Sequence, residues 1–269
     1  MALMLGTGPF SRRPAGTFNF TYEAPAHRLY LEPTARRIRV VVAGQVVADS
    51  TDARLLHETG LMPVYYVPWG DVREEWLVAT DHATHCPFKG DASYLNIEVE
   101  GDVRENSVWA YPTPLEGAPP LADLVAFQWD AVDAWYEEHQ RLVRHPRDPY
   151  HRIDVIPSDR HVVIRLDGTV VADSQRPTIL FETGLPPRYY LPEEDVDTDL
   201  LEPSDTQTTC PYKGTTTAYH SVRVGDAYVE DGIWVYGEPN PEAAGVVGLY
   251  AFYDDRFDLA VDADRFQLP

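Results

Sequence analysis

The sequence predicts a mainly all-β protein built from two duplicated small domains, and three observations predict it. Segments recur at a spacing of 124 residues: Val47-Ala48-Asp49-Ser50 returns as Val171-Ala172-Asp173-Ser174, and Glu58-Thr59-Gly60-Leu61 as Glu182-Thr183-Gly184-Leu185. A repeat of that length is a duplicated domain, not a short-period solenoid. Within each copy, short runs rich in Val, Ile, Tyr and Leu alternate with Gly, Pro and Asp turns, the pattern of antiparallel strands in a barrel or bent sheet. The third observation is length: 269 residues suit two domains that each bury a core.

Residues 1–24, rich in Gly, Pro, Thr and Phe, read as an N-terminal arm without periodicity. The first β-domain spans 25–146 and opens at His27-Arg28, which matches His151-Arg152. Residues 39–42 and 45–48 flank Ala43-Gly44 as a hairpin. The second copy has 162–166 and 169–172 around Asp167-Gly168, a stronger two-residue turn because both residues tolerate positive φ. Residues 55–58 lead through Gly60 and Pro63 into a strand at 64–67, which Pro68 stops. Asp71-Val72 opens a polar or helical turn, and strands follow at 94–99, 108–111 and 124–129. Residues 130–144, rich in Ala, Trp, Glu and Gln, are predicted as the one helix. Pro146 and Pro149 end it, form a stiff linker and place the domain boundary near 147, so that the second β-domain covers 147–269. Two copies are expected to pack about an approximate two-fold axis, as a monomeric pseudo-dimer or a homodimer.

The formal charge of −21 argues against nucleic acid or an anionic membrane as partner. The longest apolar runs are a few residues, too short to span a bilayer. The opening Met1-Ala2-Leu3-Met4-Leu5-Gly6 lacks a basic n-region, so a cytoplasmic protein is expected. One Cys per copy makes no disulfide framework, and free thiols are expected.

Chemistry concentrates in a pentapeptide that occurs twice, Cys86-Pro87-Phe88-Lys89-Gly90 and Cys210-Pro211-Tyr212-Lys213-Gly214. These loops hold both cysteines and both lysines; the other 20 of the 22 Lys and Arg residues are Arg. Lys differs from Arg in being a compact ammonium with a readily shifted pKa, so its use at these two places points to a local need for an amine. A nearby cation also favours the thiolate, the nucleophilic form of Cys. The competing reading is a small buried thiol and a Lys paired with Glu58 or Asp71 to hold the loop. Candidate catalytic residues are therefore Cys86, Lys89 and Glu58, with Cys210, Lys213 and Glu182 in the second copy. Glu58 and Glu182 sit between apolar residues and would either pair with the Lys or act as general bases. Alternation puts Tyr66 and Tyr190 towards a pocket or solvent, and Tyr65 and Tyr189 in the core. Trp109 and Tyr111, like Trp234 and Tyr236, share a strand face that can stack a planar ligand or fill a core. Arg36 and Arg160 are candidate anion clamps.

His82-x-x-His85-Cys86 has metal-ligand residue types, but the second copy has Thr206 and Thr209 at the His positions, and no metal is assigned. No Ser-His-Asp order, phosphate-cradling loop or dinucleotide fingerprint is present, and no cofactor is expected.

The hairpin ending in Val-Ala-Asp-Ser, the acidic residue before Tyr-Tyr-x-Pro, Asp-Val, Cys-Pro-(Phe/Tyr)-Lys-Gly and Trp-x-Tyr together resemble the DUF427 family. The resemblance covers about 120 residues of each half. It implies small β-domains of the Mss4-like or β-tent kind. Many β-tent relatives hold zinc with two Cys-x-x-Cys pairs, which one Cys per domain cannot supply. A nucleotidyltransferase label attached to the family would call for a Gly-Ser-x(n)-Asp-x-Asp pattern, which the chain lacks. The functional expectation is binding or processing of a small anionic, planar metabolite at pockets around the pentapeptide loops. The alternatives are an enzyme with a Cys nucleophile, or an interaction module with no small ligand.

Overall fold

A computed structural model describes residues 3–20 and 25–262, and the chain divides into two units, Met1–Tyr150 and His151–Pro269. The first carries β1 (Leu29–Pro33), β2 (Ile38–Val42), β3 (Gln45–Ser50), β4 (Arg54–Glu58) and β5 (Val64–Pro68). It continues with β6 (Leu77–Cys86), β7 (Gly90–Val99), β8 (Asp102–Ala110), β9 (Leu124–Phe127), β10 (Ala134–Glu137) and β11 (Gln140–Leu142). These strands make a seven-stranded sheet, ordered β1-β4-β5-β9-β8-β7-β6, and a four-stranded sheet, β11-β10-β2-β3. Every strand pair is antiparallel.

The main core lies between these sheets. Ile38, Val40 and Val42 from β2 meet Tyr65, Val67, Ile97, Val108 and Phe127 of the large sheet. The opposite face of the large sheet is also covered: Leu56, Tyr66, Ala92, Tyr111, Leu121 and Ala126 form a second apolar cluster. Alternation along β5 divides its two tyrosines between these clusters.

The second unit repeats the plan. Its strands are β12 (Ile153–Pro157), β13 (His161–Leu166), β14 (Thr169–Ser174), β15 (Thr178–Glu182), β16 (Arg188–Leu191) and β17 (Leu201–Ser204). They continue as β18 (Thr209–Cys210), β19 (Gly214–Thr215), β20 (Ala218–Val224), β21 (Ala227–Val235), β22 (Glu238–Pro239), β23 (Tyr250–Phe252) and β24 (Asp258–Asp262). The seven-stranded sheet β12-β15-β16-β23-β21-β20-β17 is accompanied by β14-β13-β24 and a small sheet β18-β19-β22. The edge strands differ. In the first unit β6 runs ten residues, mostly exposed, with a register break between Ala79 and Ala83. In the second unit the edge strand β17 has only four.

Both hairpins form where expected, with Ala43, Gly44, Asp167 and Gly168 all at positive φ. The shared motif Val-Ala-Asp-Ser … Asp-Val is a fastener. Ser50 Oγ donates to Asp71 Oδ2 (2.6 Å) and Ser174 Oγ to Asp195 Oδ2 (2.7 Å), while Ala48 bridges Val72 and Ala172 bridges Val196.

The helix expected over 130–144 does not form. A short 3₁₀ turn at Trp129–Ala131 is followed by the hairpin β10–β11, turning at Glu138 (φ 50°) and His139. The residues suit a helix by propensity, but tertiary pairing overrides it. β10 adds to β2, which buries Trp135 in the core and seats Glu137 on Tyr65 and Arg36. Burial at alternate positions is a strand period that composition concealed.

Gly214 has φ of 101°, and a Cβ there would stand 3.0 Å from Asn240 N and 3.1 Å from Glu238 O. Gly168 has φ of 78° with open space around it. Gly168→Ala should therefore cost roughly 1 kcal/mol from backbone strain alone, and Gly214→Ala roughly 3 kcal/mol because backbone must also shift. Urea midpoints measure the difference; equal losses would refute the close approach.

Candidate functional site

Glu58 ends β4, and the next residue ties that end to the chain entering β1. Thr59 N–H donates to Arg28 O (3.1 Å), and Arg28 N–H donates to Thr59 Oγ1 (3.0 Å). Thr183 and Arg152 repeat the exchange at 3.0 and 2.9 Å. This tie holds His27 beside Glu58 and His151 beside Glu182. The pentapeptide supplies the third member. Lys89 N–H donates to Cys86 O (3.3 Å), closing a turn over Pro87-Phe88, and Lys89 O accepts from Leu115 N–H (3.0 Å). Gly90 and Gly214 let the strand leave this turn at positive φ against a following loop, rather than giving a ligand access to backbone.

The result is the same triad twice. Glu58 accepts from the Lys89 ammonium through Oε2 and holds His27 Nε2 at 2.8 Å through Oε1. Glu182 holds Lys213 and, at 2.9 Å, His151 Nε2. Successive members are 31 residues apart in both copies. Each His ring stacks on the pentapeptide aromatic: His27 on Phe88 at 3.8 Å and 13°, His151 on Tyr212 at 3.9 Å and 28°. That stacking explains an aromatic at the third pentapeptide position. Glu58 and Lys89 are 8% and 7% exposed, so a buried carboxylate is balanced by a buried ammonium. Burial opposes ionisation of Glu182, but His151 and Lys213 outweigh it and hold its pKa at about 2.

Aromatics pack behind the triad. Trp109 Nε1–H donates to Tyr66 OH (3.3 Å), and the two rings meet edge to face at 6.3 Å; Tyr190 and Trp234 do so at 6.4 Å. Lys89 Nζ lies 5.9 Å from the Tyr111 ring. Burial pushes the hydroxyls of Tyr66, Tyr111, Tyr190 and Tyr236 above the ordinary phenol range, so all four stay protonated at neutral pH. Tyr66 and Tyr190, expected at a pocket or solvent, are sealed at 1% and 0% exposure. Tyr111, Trp234 and Tyr236 are buried in the second apolar clusters of their units, and Trp109 packs half-buried against its own.

Cys86 and Cys210 are free and partly exposed, and Cys86 adjoins Tyr111, whereas the neighbouring ammonium is committed to the carboxylate. Arg36 is engaged away from the triad, donating to Glu137 at 2.6 Å. Arg160 sits in the turn before β13, where its N–H donates to Ser158 Oγ. His85 pairs with Asp91 (2.6 Å), and the His82 ring lies tilted at 60° against Tyr94. Among the described residues no three His, Cys, Asp or Glu side chains are grouped to hold a metal ion, and no helix is long and apolar enough to cross a membrane.

The residues that sequence reasoning missed are His27 and His151. The signal was present: both copies keep His, Glu and Lys at a constant double spacing, and the Thr lock follows each Glu.

The two units differ in access. In the first, Pro87 and Phe88 are exposed, the His27 side chain is 15% accessible, and a cavity of about 780 Å3 opens beside it. His27, Arg28, Tyr30, Phe88 and Leu115 line that cavity together with Met4 and Phe10 of the arm. The arm is pinned there: Gly60 N–H donates to Met4 O (3.2 Å) and Arg28 Nη1 to Phe10 O (2.7 Å). In the second unit Pro211 and Tyr212 are buried and the His151 side chain is 2% accessible.

Glu182, held at about 2 when folded against an ordinary 4.5, contributes stability that is present above pH 4.5 and lost as pH falls towards 2. The linked free energy is of order 3 kcal/mol. Acid unfolding followed by circular dichroism should show the gap between wild type and Glu182→Gln narrowing through that window. A constant gap would contradict an ionised, doubly bonded carboxylate. Lys89→Met, which leaves the Glu58 charge uncompensated, should cost roughly 3–5 kcal/mol, and the double variant Lys89→Met/Glu58→Leu much less.

One protein-family model, described as a domain of unknown function (DUF427), matches residues 30–138 and 154–263. Both histidines lie just ahead of the matched segments, whereas Glu and Lys lie within them. No curated protein matches the chain. The chain belongs to the DUF427 family and carries two tandem copies of its domain.

Proposed function

We propose that the first domain binds and processes a small metabolite with an acidic group and a partly planar, largely apolar body, in the cavity beside His27. The observation that carries this reading is the buried Glu58 carboxylate holding Lys89 on one oxygen and His27 on the other, with the His ring on the cavity wall. A carboxylate on Nε2 fixes ring orientation and, for neutral imidazole, places the proton on Nε2 and leaves Nδ1 as the base. Lys89 balances the carboxylate and fixes its position, and Arg28 brings positive charge to a largely apolar wall that also carries Glu116. His27 then moves a proton at the ligand, and Glu58 and Lys89 position it. The second domain keeps the triad as a structural staple, consistent with its buried pentapeptide tip.

A second reading, nucleophilic catalysis by Cys86, draws support from the partial exposure of that thiol beside Tyr111. Iodoacetamide labelling separates the two: a rate near neutral pH no faster than that of an unfolded control excludes an activated thiolate.

Native mass spectrometry of gently purified protein tests the main reading. Wild type should retain a ligand mass that denaturation releases; His27→Gln should lose most of it, whereas Lys213→Met should keep it. A bare wild-type chain, or equal retention in His27→Gln, would overturn the assignment of the site.

A further inference from the structure

A second cavity in the first unit is lined by residues of both apolar clusters. It is a slot of about 240 Å3 whose walls include Tyr65, Trp109, Phe127, Trp129 and Trp135, with Arg144 at its end. Trp129 and Trp135 stack in parallel at 4.9 Å and 3°, and Phe127 braces Trp135 edge-on at 86°. These walls are rigid and flat. The Nε1–H of Trp135 is buried without an acceptor among the described residues. Arg144 is exposed and held at φ of 65°, and no carboxylate is among the described residues that line the slot.

The second unit provides an internal comparison. Arg188 pairs with Leu180 as Val64 pairs with Leu56, so Arg188 occupies the place of Val64. Asp254 stands two residues beyond Phe252, as Trp129 stands two beyond Phe127. Leu259 sits opposite Ile164 as Trp135 sits opposite Val40. There Arg188 donates to Asp254 Oδ1 (2.7 Å) and to Phe252 O (2.6 Å), and its guanidinium lies 5.3 Å from the Trp234 ring. One copy thus lays its own flat group over this Trp. The other replaces that group with Val and surrounds the vacated space with indoles.

We propose that the slot of the first domain is a binding site for a planar aromatic carboxylate. The ring takes the place that the Arg188 guanidinium holds in the second domain and lies against the indole walls. The carboxylate faces Arg144, the charge that the wall supplies in a strongly acidic chain. The volume admits one bicyclic ring and excludes a nucleotide. No triad residue contributes, so the site stands or falls independently of the function assigned to His27.

The test uses the full chain with three probes, 2-naphthoate, cyclohexanecarboxylate and phenyltrimethylammonium, followed by calorimetry and ligand-observed NMR. 2-Naphthoate should bind at least tenfold more tightly than either of the others. Val64→Arg, which imports the plug of the second domain, should weaken it at least tenfold, as should Trp129→Leu; Arg144→Gln should weaken it several-fold. Val64→Arg/Trp129→Asp recreates both partners of the plug and should fold as wild type while failing to bind. Should Val64→Arg alone not fold, Trp129→Leu and Arg144→Gln decide the matter. No binding of 2-naphthoate at millimolar concentration, unchanged binding in Trp129→Leu and Arg144→Gln, or preference for the ammonium probe would overturn the proposal.

Discussion

A carboxylate removed from water is the constraint around which each domain is arranged. An isolated ionised Glu in such a place would be several kcal/mol unfavourable, and an ammonium and an imidazole N–H must therefore reach it. They come from segments distant in sequence: a His just ahead of β1 or β12, and a Lys in a turn 31 residues beyond the Glu. Much local detail serves this convergence. The Thr after each Glu fixes the approach of the His, the turn over Pro and an aromatic fixes the Lys, and the Gly after it lets the chain depart between close neighbours. The choice of Lys in a chain that otherwise uses Arg follows from the same geometry. A single ammonium can be buried against one oxygen of an already engaged carboxylate, whereas a guanidinium fork would leave several donors unsatisfied.

Duplication has preserved this scaffold more strictly than access to it. Both copies keep the triad, the stacked His, the Ser–Asp fastener and the edge-to-face Tyr–Trp pair. The first copy has an exposed pentapeptide tip, a cavity shared with the arm, and an unplugged slot beside Trp109. The second has a buried tip, and an Arg–Asp pair where the slot would be. The second copy acts as an internal control: what both share holds the fold, and what differs is how far each site is open to solvent.

Much of this was legible in the sequence. The duplication, both hairpins, β4, β5 and the strands carrying Trp109 and Phe127 follow from repeat spacing, turn chemistry and periodicity. Pairing of Lys with Glu was one of two readings left open, because a sequence gives residue types but not whether an ammonium points inward. The hairpin β10–β11 was hidden: Ala, Trp, Glu and Gln carry helix propensity, and only contact with β2 reveals that Trp135 and Glu137 share a buried face. His27 and His151 were passed over because neither sits in a recognisable motif. The pairing of Arg36 was hidden for a related reason, since its partner Glu137 lies 101 residues away, inside the segment misread as helix.

The two edge strands have a bearing on how the chain behaves in a crowded solution. A long, regular strand with one unpaired side is a template on which identical chains can add without limit. The first unit has such a length in β6, but its register breaks between Ala79 and Ala83, next to the charge of Asp81, so the hydrogen-bonding edge is not straight. The second unit solves the same problem by brevity, ending β17 after four residues at Ser204. Two descendants of one domain have thus arrived at different guards against runaway stacking, and straightening the bulge in β6 would expose a hazard that its sister does not carry.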